Sequence, residues 1–203
     1  MLIRPPTDEE AREIIAKVYA ARGIRLVDKR HDAVSQALAW ALGELRGAGL
    51  DVPTAEGFLR DYATTLPSLD PAFVAVVGWP GDPAEIGAGD LGRCCHEATH
   101  AEQIARDGAP AFVLAYLASR TARALYEAHA CGAADELRLA MGEALPAPAA
   151  EAERFRPYLL GDRQIALIAG VLRSVRATLG AGVSCYGVAR EMVEALRARG
   201  CVA

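Results

Sequence analysis

The chain has 203 residues and a mass of 21.4 kDa, enough to bury a large core without disulfide or metal staples. Its hydrophobic share of 52% is rich in alanine and only 6% aromatic, which favours close helix packing over a broad sheet sandwich. Basic residues number 22 and acidic residues 26, for a formal net charge of −4; the signs are interspersed with no basic stripe, which excludes nucleic acid as an expected partner.

The elements begin with Thr7 and Glu10, spaced as a capping box ahead of a helix from Ala11 to Ala21. Ile14, Ile15, Val18 and Tyr19 give it an apolar stripe at helical spacing. Gly23 ends it, and residues 24–27 read as a short extended piece. A second helix is expected from about Asp32 to Gly47, with Val34, Leu38, Ala41, Leu42 and Leu45 inward and Trp40 as a core anchor. Thr54 caps a third, ending near Tyr62.

Residues 73–77, Phe-Val-Ala-Val-Val, carry the strongest strand signal, bounded by Pro71 and by Gly78-Trp79-Pro80-Gly81. A lone strand is unstable, so it must pair with residues 24–27, with an unplaced hairpin or with another chain. Residues 78–90 read as a loop holding Trp79 as an anchor, and Asp90 as the cap of a helix reaching about Arg106. Asp107-Gly108-Ala109-Pro110 breaks that helix. Residues 111–142 are helical in pattern, with a bend expected near Gly132. Residues 145–150 read as a linker, followed by helices at about 162–179 and 186–199. The fold class is therefore mainly α (α+β), with a core over 1–145 and a C-terminal helical extension over 146–203 packed on the same domain.

The five cysteines, at 94, 95, 131, 185 and 201, do not make a disulfide framework. The first fifteen residues lack the apolar stretch of a signal peptide, and the apolar runs 109–118 and 165–172 are too short to span a bilayer. A cytoplasmic protein with no membrane partner is expected, with release by phage lysis or signal-independent secretion as the other route.

Chemistry concentrates at His96-Glu97-Ala98-Thr99-His100. Two histidines four apart on a helix face the same way and can hold one metal ion. The glutamate between them stands where a general base would. His31, beside Lys29, Arg30 and Asp32, reads as solvated. Cys94 and Cys95 face away from the histidines and read as small buried side chains. Cys185 and Cys201 have no partner that suggests a nucleophile.

The motif resembles that of the HExxH zinc metallopeptidases, the zincins, over the strand near 74–77, the helix 91–106 and the helix that follows. The longer metzincin pattern is absent: residue 103 is Gln, 106 is Arg, and the next histidine is His129. The chain is closer to the glutamate-ligand group, the gluzincins, whose third ligand lies on a later helix. That resemblance implies one Zn2+ per chain held by His96, His100 and Glu127, a residue flanked by Ala124, Ala128 and Ala130 that allow close helix approach. His129, Cys131 and Glu136 are rival ligands. Cys131 stands where larger gluzincins have an aspartate, and Asp135 follows one turn later. Asp135 either accepts a histidine ring N–H or sits on the surface. Gln103 shares the histidine face and either orients a ligand or packs against the next helix.

The resemblance further implies hydrolysis of a peptide or amide bond, with Glu97 as general base toward a metal-activated water. Tyr126, His129, Tyr158 and Tyr186 are the candidates for stabilising the oxyanion, with Tyr126 placed first because it neighbours the ligand. The strand at 73–77 either offers an edge to an extended peptide or is a core strand. The substrate would be a protein, a peptide or a cell-wall crosslink. The alternative is a non-catalytic structural or binding protein, a phage or secretion-system component, that keeps the scaffold. Glu97 separates the two, since a purely structural site has no use for it.

Overall fold

The computed structural model describes residues 3–49, 54–61 and 63–203. Helix α1 spans Asp8–Ala21, and its capping box forms as expected: Thr7 Oγ1 accepts from Glu10 N at 3.2 Å, and Glu10 Oε2 accepts from Thr7 N at 2.8 Å. Ile14, Ile15, Val18 and Tyr19 are all buried. Gly23, at φ 63, turns the chain into strand β1, Ile24–Asp28.

The sheet has three strands. Strand β2 is Thr64–Pro67 and strand β3 is Ala75–Trp79. β3 lies in the middle, parallel to β1 with Ile24 opposite Ala75, and antiparallel to β2 with Thr64 opposite Gly78. The expected pairing with residues 24–27 therefore forms, but the strand begins two residues later than the apolar run. Phe73 N bonds back to Asp70 O in a turn, and the ladder continues instead through Gly78 and Trp79. Trp79 is thus a buried strand residue and not a loop anchor. Because β3 is paired on both sides, it has no edge to offer; the free edge on the side of the motif helix belongs to β2. That strand gave no sequence signal, being four residues long and ending in proline. Gly78 is required by packing, since a Cβ there would lie 2.6 Å from the stem of the buried Lys29.

Helix α2, Ala33–Gly47, turns a different face inward from the one expected. Asp32 Oδ2 accepts from both the backbone N and the hydroxyl of Ser35 at 2.8 Å. This cap sets the helix phase so that Ser35 and Ala39 are buried. Val34 and Leu45 are exposed, and Trp40 is 70% exposed and anchors no core. Helix α3, Ala55–Asp61, is capped by Thr54 as expected and buries none of its residues; Tyr62 lies outside the described residues.

Helices α4, Leu91–Asp107, α5, Ala109–Ala118, and α6, Arg120–Ala140, form the centre of the molecule. The long helical stretch breaks at Ser119, not at Gly132. Ser119 leaves helical geometry and its Oγ accepts from Ala122 N at 3.2 Å, an N-cap that restarts the chain. Gly132 lies in unbroken helix, and a Cβ there would meet the Tyr186 hydroxyl at 2.6 Å. Its role is clearance.

The segment read as a linker already begins helix α7 at Pro148, which runs to Glu153. Helices α8, Asp162–Gly180, and α9, Gly187–Ala198, follow. One core cluster joins α1, the sheet, α4 and α9; a second joins α6, α7 and α8 around Phe155, Ile168 and Leu172. Among the described residues no helix is long and apolar enough to cross a membrane.

Candidate metal centre

The site is made where α4 crosses α6. His100 faces Glu127, Cys95 Sγ lies 3.5 Å from Ala133 O, and Gly92 lies against Arg138. Rising numbers on one helix meet falling numbers on the other, so the pair is antiparallel. The small side chains Cys94, Cys95, Ala98, Ala128 and Ala133 are buried and allow this close approach.

At the crossing, His96 Nε2 and His100 Nε2 are 3.2 Å apart. Glu127 Oε2 lies 3.2 Å from the first and 3.6 Å from the second. Ligand atoms about 2.1 Å from a tetrahedral ion would stand roughly 3.4 Å from each other, close to these separations. The side chain of Glu127 is 2% exposed, and its Oε2 is buried with no hydrogen-bond partner. A buried carboxylate oxygen without a donor is costly, and a cation at the focus of the three atoms removes that cost. His96, His100 and Glu127 are the described group that could hold a metal ion, with their ligand atoms all within 4.8 Å of one another.

The surroundings hold each ligand in place. Gln103, of the two roles open to it, takes the orienting one: its Oε1 lies 2.8 Å from His100 Nδ1, and its Nε2 donates to Tyr126 O at 3.1 Å. With Nδ1 carrying the proton, the Nε2 lone pair of His100 points to the focus. The Tyr116 hydroxyl donates to Glu127 Oε1, which leaves Oε2 for the ion. Phe155 stacks on His96 with centroids 6.4 Å apart. Arg123 braces this wall by donating to the backbone oxygens of Tyr116, Leu117 and Tyr158.

Charge is balanced within the cluster. Burial alone would raise the Glu127 pKa, but His100 and His96 outweigh it and hold the carboxyl well below the usual range. Burial would lower the His100 pKa, but with no cation bound Glu127 overrides it and the imidazole is pushed up to about 9, so a cation entering the site would displace the proton on Nε2 and free its lone pair.

Glu97 projects from α4 toward the sheet. It is buried, and its Oε2 accepts from Thr65 Oγ1 on β2 at 2.7 Å. His96 and Glu97 both line a cavity of ≈ 470 Å³ that also reaches Phe155 and Tyr158.

The remaining candidates lie elsewhere. The Tyr126 hydroxyl donates to Asp107 Oδ2 at 2.8 Å, so its polar tip is turned away from the site, which it meets through its backbone carbonyl and through its ring stacked on Tyr116. His129 Nδ1 lies 3.1 Å from the Tyr186 hydroxyl. Glu136 accepts from Cys185 N at 2.9 Å and Tyr186 N at 3.1 Å and anchors the start of α9. Cys131 Sγ lies 3.8 Å from Glu151 Oε1. Asp135 bonds to Arg176 Nε at 2.7 Å and not to a histidine ring. His31 is solvated as expected, and Cys94 and Cys95 are buried with thiol pKa values that burial pushes up.

Tyr116, Thr65 and Phe155 were not foreseen. Tyr116 sits in a run that reads as plain apolar helix, and its one signal is a polar tip in that run. Thr65 belongs to the strand that gave no signal.

No family model, curated protein or solved structure matches this chain. The geometry itself is that of the zincin type, an HExxH helix with a distal glutamate as third ligand, and is typical of a metal-activated catalytic site in zinc peptidases.

Proposed function

We propose that this protein is a zinc-dependent peptidase that hydrolyses a peptide or amide bond in the cavity beside His96 and Glu97. The observation that carries the reading is the donor-less, buried Oε2 of Glu127 at the focus of two imidazoles, next to a carboxylate that no ligand set requires. Two neutral nitrogens and one carboxylate suit zinc, and three protein ligands leave a position open, as hydrolytic sites need. When bound there, zinc supplies Lewis acidity toward a water and a substrate carbonyl.

The chain's own groups do the rest. Glu97 takes a proton at Oε1, the carboxylate oxygen that Thr65 does not occupy, and returns it to the leaving amine. Thr65 fixes the carboxylate so that Oε1 has one direction available. Tyr158, which lines the cavity, replaces Tyr126 as the proposed donor to the oxyanion. Phe155 beside it shields His96 from water. The same absence of a membrane-crossing helix among the described residues fits a peptide or protein substrate met in solution, and a cytoplasmic setting remains part of the proposal.

The competing reading, a non-catalytic scaffold, uses His96, His100 and Glu127 but leaves Glu97 idle. Glu97→Gln decides between them. The variant keeps its metal and loses peptidase activity by roughly a hundredfold or more; unchanged activity on a peptide that the wild type cleaves would remove Glu97 from the chemistry.

A further inference from the structure

The sheet carries a buried charge that the chemistry above leaves unused. Lys29 follows β1 directly and extends its ladder, its backbone N donating to Trp79 O at 3.0 Å. The side chain then crosses the sheet. Its stem fills the space that a Cβ on Gly78 of β3 would take, and its ammonium arrives at Thr64, the β2 residue opposite Gly78. There Nζ donates to Thr64 Oγ1 at 2.9 Å and to Phe58 O at 2.7 Å, and it lies 3.4 Å from the centroid of the Phe58 ring. Phe58 stands in the last turn of α3, where a cation is favourable. Lys29 is 0% exposed.

Such a charge is a poor way to gain stability alone. A buried ammonium is costly, and burial lowers the Lys29 pKa to about 8 although Glu97 draws it back up. An apolar side chain of similar length would fill the same channel without that cost. What the ammonium adds is direction, because it holds oxygens from two separate elements at one point.

Those two oxygens bracket the wall of the cavity. Asp61 and Ala63 both line it. Thr65, next to Thr64 and turned to the other face of β2, donates to Glu97 Oε2 at 2.7 Å. Helix α3 buries none of its residues, so its own packing holds this segment weakly. We infer that Lys29 is a positioning residue of the site: by clamping Phe58 and Thr64 it fixes the cavity wall and keeps Thr65 where it orients Glu97. Lys29 acts through β2 and does not line the cavity. The role of Glu97 is that of the peptidase reading above, and the inference rests on it.

The test uses the full chain loaded with zinc, with Lys29→Met and Thr64→Val as variants. Hydrogen exchange reads the clamp independently of activity. Amides of residues 54–61 and 63–67 exchange about 10-fold or more faster in Lys29→Met, while α4 and α6 keep their protection. On a peptide that the wild type cleaves, kcat falls about 10-fold, KM changes less than about 2-fold and zinc content is unchanged. In a Thr65→Val background the same change lowers kcat by no more than about 2-fold, since both substitutions act on one contact. A merely structural role predicts the full loss in either background. Thr64→Val keeps the bond to Phe58 O, gives a smaller loss in the same direction, and carries the test if Lys29→Met does not fold. Unchanged exchange in the segment, unchanged kcat, or losses that multiply with Thr65→Val would overturn the inference. Faster exchange confined to the segment, with no cleavage by the wild type, would leave the clamp standing and remove the peptidase reading.

Discussion

Helices α4 and α6 bury eleven residues each, among them Glu97, Glu127, Asp135 and Glu136. Helix α2, of similar length to α4, buries only Ser35 and Ala39 and turns Trp40 to solvent. The contrast separates two ways of being a helix in one chain. α2 packs against α3 and approaches the sheet where Ser35 lies against Gly78. α4 and α6 are packed on nearly every side, and their buried carboxylates meet specific donors, Thr65 for Glu97, Tyr116 for Glu127, Arg176 for Asp135 and the start of α9 for Glu136. Buried charge is costly unless paired, so its concentration at the α4–α6 crossing marks where structure has been shaped for chemistry.

The contrast can be broken by mutation. Leu137 is fully buried on α6, and Leu137→Ala is expected to destabilise the protein by about 2–5 kcal/mol in urea unfolding. A loss near zero would mean that α6 is far looser than its burial implies. Tyr116→Phe removes the donor to Glu127 Oε1 and is expected to weaken zinc binding about 10- to 100-fold, measured by competition with a chelator. Unchanged affinity would show that Glu127 needs no help to present Oε2. Thr65→Val frees the Glu97 carboxylate; peptidase activity should fall roughly 10-fold with zinc retained, and Thr65→Ser should restore it. On the other side of the contrast, Trp40→Ala should change stability by less than about 0.5 kcal/mol. A large loss would mean that α2 is covered in solution.

The sequence made α1, α4, α8 and α9 plain because apolar spacing and bounding glycines agree in each; the expected cap forms in α1, whereas Asp90 accepts from Gly87 N at 3.1 Å and gives α4 no side-chain cap. The interior face of α2 was misread because the Asp32–Ser35 cap, and not the larger apolar residues, sets its phase. The break at Ser119 was hidden for a related reason: glycine is the stronger breaker by propensity, but Gly132 is kept for clearance against Tyr186 and the capping serine divides the helix. At the site, His96, Glu97 and His100 announce themselves by spacing. Glu127 was reached through the family resemblance and the alanines around it. The residues that position these groups, Tyr116 and Thr65, come from separate elements, and no local pattern ties them to a ligand 11 residues or a base 32 residues away. Tyr126 illustrates the limit of adjacency: next to Glu127 in the chain, it aims its hydroxyl at Asp107, because neighbouring helix positions diverge by about 100°.

The central claim is that Glu127 completes a metal site with His96 and His100. Metal analysis of the wild type and of Glu127→Ala, each purified, stripped and reloaded with zinc, tests it most directly. About one zinc per chain in the wild type, with loss of stoichiometric zinc in the variant while its helical content is unchanged, is the predicted result. Stoichiometric zinc retained by Glu127→Ala, or none taken up by the wild type, would contradict it.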